Sequence, residues 1–471
     1  MHTKQAGATT ITEDTRAGPA ELQATSMPEP ALLTDVAGDR GLAARQKPGL
    51  SDATRPAQRA GDRAAGAHDL GSVDVCVVGA GPVGGTLACR LQAAGVSVAI
   101  VDRAELPPME HPDFDGRAYA VAAGSRRLLE QAGLWRELPQ PTCPITEIRI
   151  SDGRVGRPAS RLFLHFDVRD LGDGAVGAVA MGWMVEARSL RVALNRALRT
   201  RPGLSLHAPA QATVEQHGDH ALVRLPAGTL RARLVVSAEG RSSRLRDAAG
   251  IRTTRLPYRQ VGMVCAIAHE WPHHGTALEH FLPGGPFAQL PMCGTDGAPH
   301  VSAIVWTEET ALGERMMRLD DAAYAREVAR RLGGHLGAVR LIGRRWLYSL
   351  SAMHAHRYVA PRLALVGDAA HGIHPIAGQG LNLGFRDVLA LSALVIEAVG
   401  SGADPGDPAL LARYQRARRP DNLLMLAATD GLDRLFSSDS RVLRGVRDLG
   451  IAGVQRLPGL RRAFMRGAMG V

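Results

Sequence analysis

Two glycine-rich stretches, far apart in the sequence, constrain the fold of this chain more than any other feature. The first follows the apolar run Val73–Val78, which is typical of a buried parallel strand. It carries Gly79, Gly81 and Gly84 in the spacing GxGxxG. In this motif the first glycine allows a tight turn, the second lets the backbone approach a pyrophosphate, and the third lets the following helix pack closely on the strand.

The residues after Gly84 supply the rest of a dinucleotide-binding unit. A helical pattern with one apolar face runs to Ala94, and a second apolar strand, Val96–Val101, ends at Asp102 and Arg103. An acid in this position hydrogen-bonds a ribose 2′-hydroxyl. Because strand, turn, helix, strand and acid occur in order, the pattern predicts a dinucleotide site that includes Asp102 and Arg103, rather than a purely structural glycine turn.

The second stretch indicates that the dinucleotide is FAD. The apolar run Leu363–Val366 predicts a strand, and Gly367 and Asp368 follow its carboxyl end, where ligands bind in open α/β sheets. A carboxylate there can hydrogen-bond ribityl hydroxyls. A long helix is predicted to follow, and its N-terminus would stabilise the negative charge of a reduced flavin. The residues predicted to form this turn are Gly378, Gln379, Gly380, Leu381 and Asn382.

Simpler structural roles stay open for some of these residues. Gly378 and Gly380 also suit a turn that binds nothing. For His371 and His374, helix capping or packing is the favoured interpretation, and catalysis the less favoured one.

The second stretch also resembles a known family. Gly367–His371, followed by His374–Gly384, is similar to the flavin-dependent aromatic hydroxylases, and more narrowly to the UbiH/UbiF/COQ6 family that hydroxylates polyprenyl phenols in ubiquinone biosynthesis. The resemblance runs from about residue 72 to the C-terminus. Further matching segments are Asp115–Ala118, Val185–Glu186, Phe281–Pro286, Val305–Trp306 and Tyr414–Arg419.

The resemblance implies positions for several residues around FAD. It places Arg117 near the pyrophosphate and Glu186 near the ribityl chain or ribose, and it implies that Asp368 holds the ribityl chain. It also implies that the isoalloxazine ring is bordered by Pro375, Gly378, Gln379 and Gly380. No side chain is identified as a base for the phenol.

One segment departs from the family pattern. The family carries an Asp-Gly motif linked to both FAD and NAD(P)H, whereas this chain has Glu239-Gly240 within the run Val235–Arg246. The extra methylene keeps the charge and moves the carboxylate by about one bond length. Glu239 and Gly240 are therefore expected to bind the cofactor, and the contact with pyridine nucleotide is the part that the substitution affects.

Composition limits the class and the location of the protein. The chain has 471 residues, enough for more than one domain, and five cysteines without a CxxC pair, which fits a reducing cytoplasm. The net charge of +10 would suit binding to nucleic acid, but no nucleic-acid-binding motif accompanies it, and no metal site is predicted.

No apolar run approaches the roughly 18 residues that span a bilayer. The basic, partly amphipathic C-terminal part, around Leu432–Val454, favours contact with an anionic membrane surface, with solvated arginines as the alternative.

Together the patterns predict an α/β protein: a Rossmann-like FAD-binding domain with an inserted β-sheet substrate domain and a C-terminal helical segment broken at Pro420, Gly431, Gly450 and Pro458. An apolar pocket is expected among Phe281, Phe287, Leu290, Trp306 and Trp346, although ordinary sheet core is the simpler interpretation for each. Residues 1–71 are expected to be a disordered extension or the result of a misplaced start codon. The FAD-binding domain is expected over 72–140, 184–250 and 346–410, and the substrate domain over 141–183 and 251–345. The helical segment is expected over 411–471.

The resemblance implies the activity of an FAD-dependent monooxygenase. FAD would bind non-covalently, NADH or NADPH would reduce it, and O2 would form a C4a-hydroperoxyflavin that hydroxylates the ring of a polyprenyl phenol. It further implies a cytoplasmic protein peripheral on the inner membrane, in a multiprotein complex of ubiquinone biosynthesis. Two alternatives stay open: a flavin hydroxylase or oxidase of a small soluble aromatic, and a non-catalytic, FAD-stabilised lipid-binding member of such a complex.

Overall fold

A computed structural model describes residues 68–106, 115–156, 163–171, 180–295, 297–374, 378–436 and 458–470. Of the extension expected to be disordered over residues 1–71, residues 1–67 lie outside the described residues, whereas Asp69–Gly71 belong to the first strand. The role of Pro375 and most of the segment Leu432–Val454, for which membrane contact is expected, also lie outside the described residues.

The strands vary from two to seventeen residues in length. In chain order they are β1 (Asp69–Val78), β2 (Val98–Val101), β3 (Ala118–Ala122), β4 (Cys143–Ile145), β5 (Glu147–Asp152), β6 (Phe163–Asp167), β7 (Gly182–Glu186), β8 (Leu204–His207), β9 (Thr213–Gln216), β10 (Ala221–Leu225), β11 (Gly228–Ser237), β12 (Thr253–His269), β13 (Thr276–Leu282), β14 (Gly285–Met292), β15 (Val301–Glu309), β16 (Val339–Ala355), β17 (Val359–Ala360), β18 (Leu363–Leu365) and β19 (His371–Gly372). The helices are α1 (Pro82–Gln92), α2 (Ala123–Gln131), α3 (Ala187–Thr200), α4 (Arg244–Ala248), α5 (Thr310–Met317), α6 (Asp321–Leu332), α7 (Gln379–Gly400), α8 (Pro408–Phe436) and α9 (Pro458–Met469).

The first sheet is the Rossmann-like one. Its order is β17-β18-β11-β1-β2-β8, and β18, β11, β1, β2 and β8 run parallel. In the middle, Val77 of β1 pairs with Ile100 on one side and Val236 on the other. Such strands are buried on both faces, which explains their continuous apolar sequence. Helices α1, α3 and α7 contribute to the same hydrophobic core as this sheet, where Leu87, Leu194 and Leu391 are fully buried.

The second sheet is mainly antiparallel, in the order β19-β16-β12-β15-β14-β13-β5-β6. Its outer face, defined here as the one bearing Trp306, packs on Tyr324 and Val328 of α6. The run Pro283–Pro286, whose proline and glycine residues are a strong turn signal, contains a tight turn, because β13 ends at Leu282 and β14 begins at Gly285. A third, small sheet with the order β3-β7-β4 accompanies the two large ones. The predicted class, a Rossmann-like domain with an additional β-sheet, is confirmed.

The C-terminal helices differ from the sequence-based expectation. Helix α8 continues through Pro420 and Gly431, so the predicted breaks at these residues are wrong. Proline in a helix interior removes a backbone hydrogen bond and costs about 3 kcal/mol. Tertiary contacts offset this cost: Arg418 and Asn422, on either side of Pro420, both hydrogen-bond the buried Asp387 of α7.

The predicted domain boundaries stay predictions, but two elements run across them. Strand β16 passes through residue 346 and belongs wholly to the second sheet. Helix α8 begins before residue 411, and Leu411 and Tyr414 lie in the core of the first sheet, where the Tyr414 hydroxyl donates to the Leu365 carbonyl at 2.7 Å.

Candidate active site

Four loops leave the carboxyl ends of parallel strands at one edge of the first sheet. They begin at Gly79 after β1, Asp102 after β2, Ala238 after β11 and Val366 after β18. Backbone hydrogen bonds tie neighbouring loops together: Gly79 N donates to Val101 O at 2.7 Å, Ala238 N to Val78 O at 2.7 Å, and Val366 N to Ser237 O at 3.0 Å. Ligands of open α/β sheets bind at this edge.

The glycines of the first stretch have the geometry that the motif requires. Gly79 has φ +109°, and a Cβ on it would lie 2.4 Å from the Ala238 carbonyl oxygen. A Cβ on Gly84 would lie 2.0 Å from the Gly79 oxygen, so only glycine lets α1 approach the strand this closely. A Cβ on Gly81 would meet nothing within 4 Å. The space at the N-terminus of α1 is therefore open to a ligand.

Asp102 and Arg103 lie beside this space. The Asp102 carboxylate accepts hydrogen bonds from Ala80 N at 2.6 Å and from Ala104 N at 2.8 Å. Each carboxylate oxygen has a second lone pair, so a ribose hydroxyl can still donate to it. Arg103 is exposed. Ribose binding by these two residues stays a prediction.

Val83 brings the two glycine-rich stretches into contact. A Cβ on Gly367 would lie 3.2 Å from both Val83 Cγ atoms. A Cβ on Gly384 of α7 would lie 2.7 Å from Val83 Cγ2 and 3.4 Å from Gly367 Cα. The first turn of α1, the turn after β18 and helix α7 thus meet at one place, which the sequence spacing alone does not show.

Asp368 and the loop after β11 face each other. The Asp368 carboxylate is about half exposed, and Arg241 Nε lies 3.4 Å from its Oδ2 atom. Arg241 also donates to the carbonyl and the hydroxyl of Ser351 on β16, at 2.8 and 2.7 Å. Gly240 has φ +79°, and a Cβ there would meet nothing within 4 Å. The predicted roles of Asp368 and Gly240 therefore fall on an accessible surface.

Glu239 has a structural task in addition to any contact with cofactor. Its Oε2 atom accepts hydrogen bonds from Ser237 Oγ at 3.1 Å, Ser243 Oγ at 2.7 Å and Leu245 N at 3.0 Å. Ser243 in turn caps α4 by accepting from Arg246 N at 3.1 Å. The longer side chain thus turns toward the start of α4. The predicted cofactor contact of Glu239 stays a prediction.

The turn before α7 is built from glycine and one asparagine. Gly378 has φ +62° at the N-cap, and a Cβ on Gly380 would meet nothing within 4 Å. The Asn382 side chain accepts from Ala122 N at 2.9 Å and donates to Ala120 O at 2.8 Å, so it holds β3 against α7. Gly378, Gln379 and Gly380 remain the predicted border of the flavin ring, and Leu381 and Asn382 remain predicted cofactor contacts.

Arg117 and Glu186 are adjacent on the small sheet. The residue after Arg117, Ala118, pairs with Glu186, and Arg117 O accepts from Ala187 N at 3.0 Å. The Arg117 guanidinium donates to Asp115 at 2.6 Å and lies 4.3 Å from the ring centre of Trp346. Glu186 accepts from Arg188 Nε at 2.6 Å. The structure brings the pair together, and its role in binding FAD stays a prediction.

The chain matches the model of the family described as "FAD binding domain" over residues 72–428. This match covers both glycine-rich stretches and the three sheets. The chain belongs to this FAD-binding family.

Relatives of this family member include the ubiquinone hydroxylase UbiL of Rhodospirillum rubrum, with 46% identity over 92% of this chain and 95% of the relative. The 3-demethoxyubiquinol 3-hydroxylase of Escherichia coli is 32% identical over 84% of this chain and 98% of the relative. Among solved structures, the p-nitrophenol 4-monooxygenase PnpA of Pseudomonas putida matches with a TM-score of 0.65 and 19% identity, over 84% of this chain and 97% of that one. The last match supports the fold alone.

The protein is thus an FAD-dependent monooxygenase, and the residues present fit the cofactor. The open space at Gly81 lies at the N-terminus of α1, and the open space at Gly380 lies at that of α7. Helix N-termini stabilise anionic groups. When bound, FAD accepts electrons from NAD(P)H and activates O2, so that one oxygen atom reaches the substrate ring.

Sequence reasoning missed two residues that hold these loops. Arg191 of α3 donates through Nη1 to the Ala80 carbonyl at 2.8 Å, inside the glycine-rich turn. Asp387 of α7, fully buried, accepts from Gly367 N at 3.0 Å, His371 Nε2 at 2.5 Å and Arg418 Nε at 2.8 Å. His371 is buried beside this carboxylate, and its assignment to packing stays a prediction. The signal for Asp387 was present, since an acid on the apolar face of a helix needs a partner.

The predicted apolar pocket is mostly sheet core. Phe287 and Trp306 are buried on the outer face of the second sheet, and the Trp346 ring nitrogen donates to the Asp115 carbonyl at 2.7 Å. On the inner face, opposite to Trp306, a small cavity does occur. It is lined by Glu279, Pro286, Ala288, Leu290, Val305, Thr307 and Gly378.

Proposed function

We propose that this protein hydroxylates the aromatic ring of a polyprenyl phenol in ubiquinone biosynthesis, with NADH or NADPH as reductant and O2 as oxidant. The observation that carries the proposal is the 46% identity to UbiL, which extends over 95% of that ubiquinone hydroxylase. The full set of glycine-rich loops at one sheet edge supports an active flavin site and weighs against a non-catalytic, lipid-binding member.

The proposal assigns FAD to the loops in order along the cofactor. The pyrophosphate is held by Gly79, Gly81, Gly84 and Arg117. The ribose end is held by Asp102, Arg103 and Glu186. The ribityl side is held by Glu239, Gly240, Gly367 and Asp368. The flavin ring lies at Gly378–Asn382. What supports the assignment is that the loops bearing Gly79, Asp102, Gly240 and Asp368 leave the same edge of the first sheet.

The second sheet would close the site against water. Its inner face near Gly378 is mostly apolar, with Ala288, Leu290 and Val305 in the cavity wall beside the polar Glu279 and Thr307. Exclusion of water protects a reactive oxygen species from wasteful decay to hydrogen peroxide. We therefore assign the second sheet to the substrate, in agreement with the domain division expected from the sequence.

The experiment is quinone profiling of a strain that lacks the gene. Loss of ubiquinone and accumulation of a polyprenyl phenol that lacks one ring hydroxyl are expected, with recovery on expression of the wild-type chain. A Gly81→Val chain serves as the inactive control. An unchanged quinone profile would contradict the proposal and favour a small soluble aromatic as substrate.

We further propose peripheral contact with the cytoplasmic side of the inner membrane, and assembly with other ubiquinone-biosynthesis enzymes, because the substrate carries a long isoprenoid chain. Among the described residues no helix is long and apolar enough to cross a bilayer. Helix α8 exposes Leu424 and Leu432, with 71% and 40% of their surface accessible, before the arginine-rich C-terminal part. Exposed apolar residues next to arginines suit an anionic membrane surface.

A further inference from the structure

Glu279 is a carboxyl group on the inner face of the second sheet. Side chains alternate between the two faces of a strand. On β13, Leu282 packs in the outer core with Trp306, and His280 Nδ1 lies 3.3 Å from the Arg331 carbonyl of α6. Glu279 therefore points the opposite way. Its neighbours in the sheet are Ile150 of β5 and Ala288 of β14.

This face meets the first turn of α7 at the small cavity. Glu279 and Gly378 line the same cavity, together with the apolar groups of Ala288, Leu290 and Val305. Gly378 begins the turn to which the flavin ring is assigned above. A carboxyl group at this place lies in the wall between the second sheet and the proposed ring site, where a substrate ring would be held.

Glu279 differs from the other buried acids. Five carboxyl side chains are buried in the part of the chain that the structure describes. Four have a cationic partner: Asp115 with Arg117, Asp167 with Arg169, Glu308 with Arg331 and Asp387 with Arg418. Glu279 has 6% of its surface accessible, and its carboxyl group makes no hydrogen bond or ion pair with any described residue.

A buried acid without a partner is costly, and acids with strongly shifted pKa values cluster at functional sites. Burial raises the pKa of Glu279 to about 7. A proton acceptor works best when its pKa lies near the working pH. Geometry and environment thus agree on a group that accepts a proton inside an apolar pocket.

We propose that Glu279 binds the hydroxyl of the phenolic substrate and accepts its proton during ring hydroxylation. The proposal rests on the proposed function and supplies the base that no sequence motif identified. It also fixes the orientation of the ring, because the hydroxyl must point toward β13.

In this role the phenol O–H bond breaks and its proton moves to a carboxylate oxygen of Glu279. The electron pair left on the phenol oxygen enriches the ortho and para carbons, one of which takes a single oxygen atom from O2. NAD(P)H supplies the two electrons that reduce the second oxygen atom to water. The attacked carbon loses its hydrogen as a proton, and Glu279 returns the first proton to the ring oxygen.

The first test uses the wild-type holoenzyme with ortho-prenylphenol and with prenylbenzene, which lacks the hydroxyl. Binding is followed through the change in flavin absorbance. We expect prenylbenzene to bind at least about tenfold more weakly, because it leaves the buried carboxyl without a partner. Equal binding of the two compounds would overturn the proposal, whatever the behaviour of any variant.

The second test compares Glu279→Gln with the wild type. Glutamine keeps the shape and can still hydrogen-bond the substrate hydroxyl but accepts no proton, so turnover of ortho-prenylphenol should fall about a hundredfold at unchanged FAD content. A fluorinated prenylphenol that is ionised at the assay pH needs no base. The ratio of variant to wild-type turnover should therefore recover on that compound.

Gln289→Leu is the matched control. It removes a buried polar group from the outer face of the same sheet, where Gln289 donates to Ser302 at 2.9 Å, and it should leave the preference for the ionised phenol unchanged. If the wild type hydroxylates the phenol and the turnover of Glu279→Gln is within twofold of the wild-type turnover, the inference about Glu279 is wrong but the proposed function stands. If the wild type hydroxylates no prenylphenol, the proposed function fails first.

Discussion

At the scale of single residues, the site depends on glycines that leave space for something other than protein. Gly79 and Gly84 are required by close backbone contacts, whereas a Cβ on Gly81 would enter open space at the N-terminus of α1. Steric need within the protein therefore does not explain Gly81. The proposed pyrophosphate does, because only a residue without a side chain lets the backbone approach it.

Gly81→Val should abolish FAD binding without unfolding the protein. The valine side chain would fill the space assigned to the pyrophosphate, so the purified variant should be colourless and the wild type yellow, with flavin released by acid precipitation. Gly218→Val is the control, because a Cβ at Gly218 also meets nothing within 4 Å and the residue lies in a distant loop. Full flavin in Gly81→Val would refute the assignment.

Glu239→Ala should weaken both the fold and the reaction with NAD(P)H. It leaves Ser237, Ser243 and Leu245 N without a shared acceptor, which costs about 1–3 kcal/mol of unfolding free energy. Glu239→Asp keeps the charge and should be tolerated better. Urea unfolding measures the first effect and anaerobic stopped-flow flavin reduction the second. A wild-type reduction rate with full flavin would restrict Glu239 to capping α4.

At the scale of elements, the C-terminal helix supports the flavin loop through one buried carboxylate. Asp387 on α7 links Gly367 of the second glycine-rich stretch to Arg418 and Asn422 on α8. Burial alone would raise the pKa of Asp387, but His371 and Arg418 hold it below its usual value. The charged form therefore stabilises the folded state, and the packing of α8 is coupled to the shape of the cofactor loop.

Asp387→Asn should lower the free energy of unfolding by about 3–5 kcal/mol, because the buried Arg418 loses its one fully buried anionic partner and keeps only the partly exposed Asp421. The control is Asp421→Asn, whose carboxylate also binds Arg418 at 2.7 Å but is 35% exposed, so the loss should be about 1 kcal/mol or less. The pKa of Asp387 is lower in the folded state than in the unfolded state, where it is about 3.9. The ion pair therefore stabilises the fold above that unfolded-state pKa, and this stabilisation is lost as the pH falls through the folded-state pKa. The difference in unfolding free energy between the wild type and Asp387→Asn, measured by urea titration, should thus become smaller below about pH 4. A difference that does not change with pH would contradict the ion pair.

Pro420→Ala should stabilise α8. Proline in the helix interior costs about 3 kcal/mol relative to alanine, and the position is on a helix that tertiary contacts already hold. We expect a higher Tm by differential scanning calorimetry. Pro408→Ala, at the first residue of the same helix, should change little, since proline is well tolerated there. A lower Tm for Pro420→Ala would show that the proline favours the native arrangement of α8.

At the scale of the whole molecule, the sequence predicted what depends on local pattern. The strand, turn and helix around Gly79 and the turn after Leu282 follow from periodicity and glycine spacing, as do some strands of the second sheet, such as β13 and β15. The continuation of α8 through Pro420 did not follow, because it depends on contacts with Asp387 from another helix. Glu279 was missed for the same reason: the face of β13 that meets α7 is set by tertiary packing.

The proposed membrane contact is also a property of the whole molecule, since the isoprenoid chain of the proposed substrate would have to leave the bilayer and reach the inner face of the second sheet. Leu424 and Leu432 on α8 offer exposed apolar surface, and the arginines of the C-terminal part add about 1 kcal/mol each near an anionic surface, screened by salt. Co-sedimentation with anionic vesicles should therefore fall with added salt and with Leu424→Glu. Trp271→Glu is the control, because Trp271 is also half exposed but follows the far end of β12. Binding that is absent at low salt would leave α8 as a packing or assembly surface, while turnover of a short, water-soluble phenol should persist in either case.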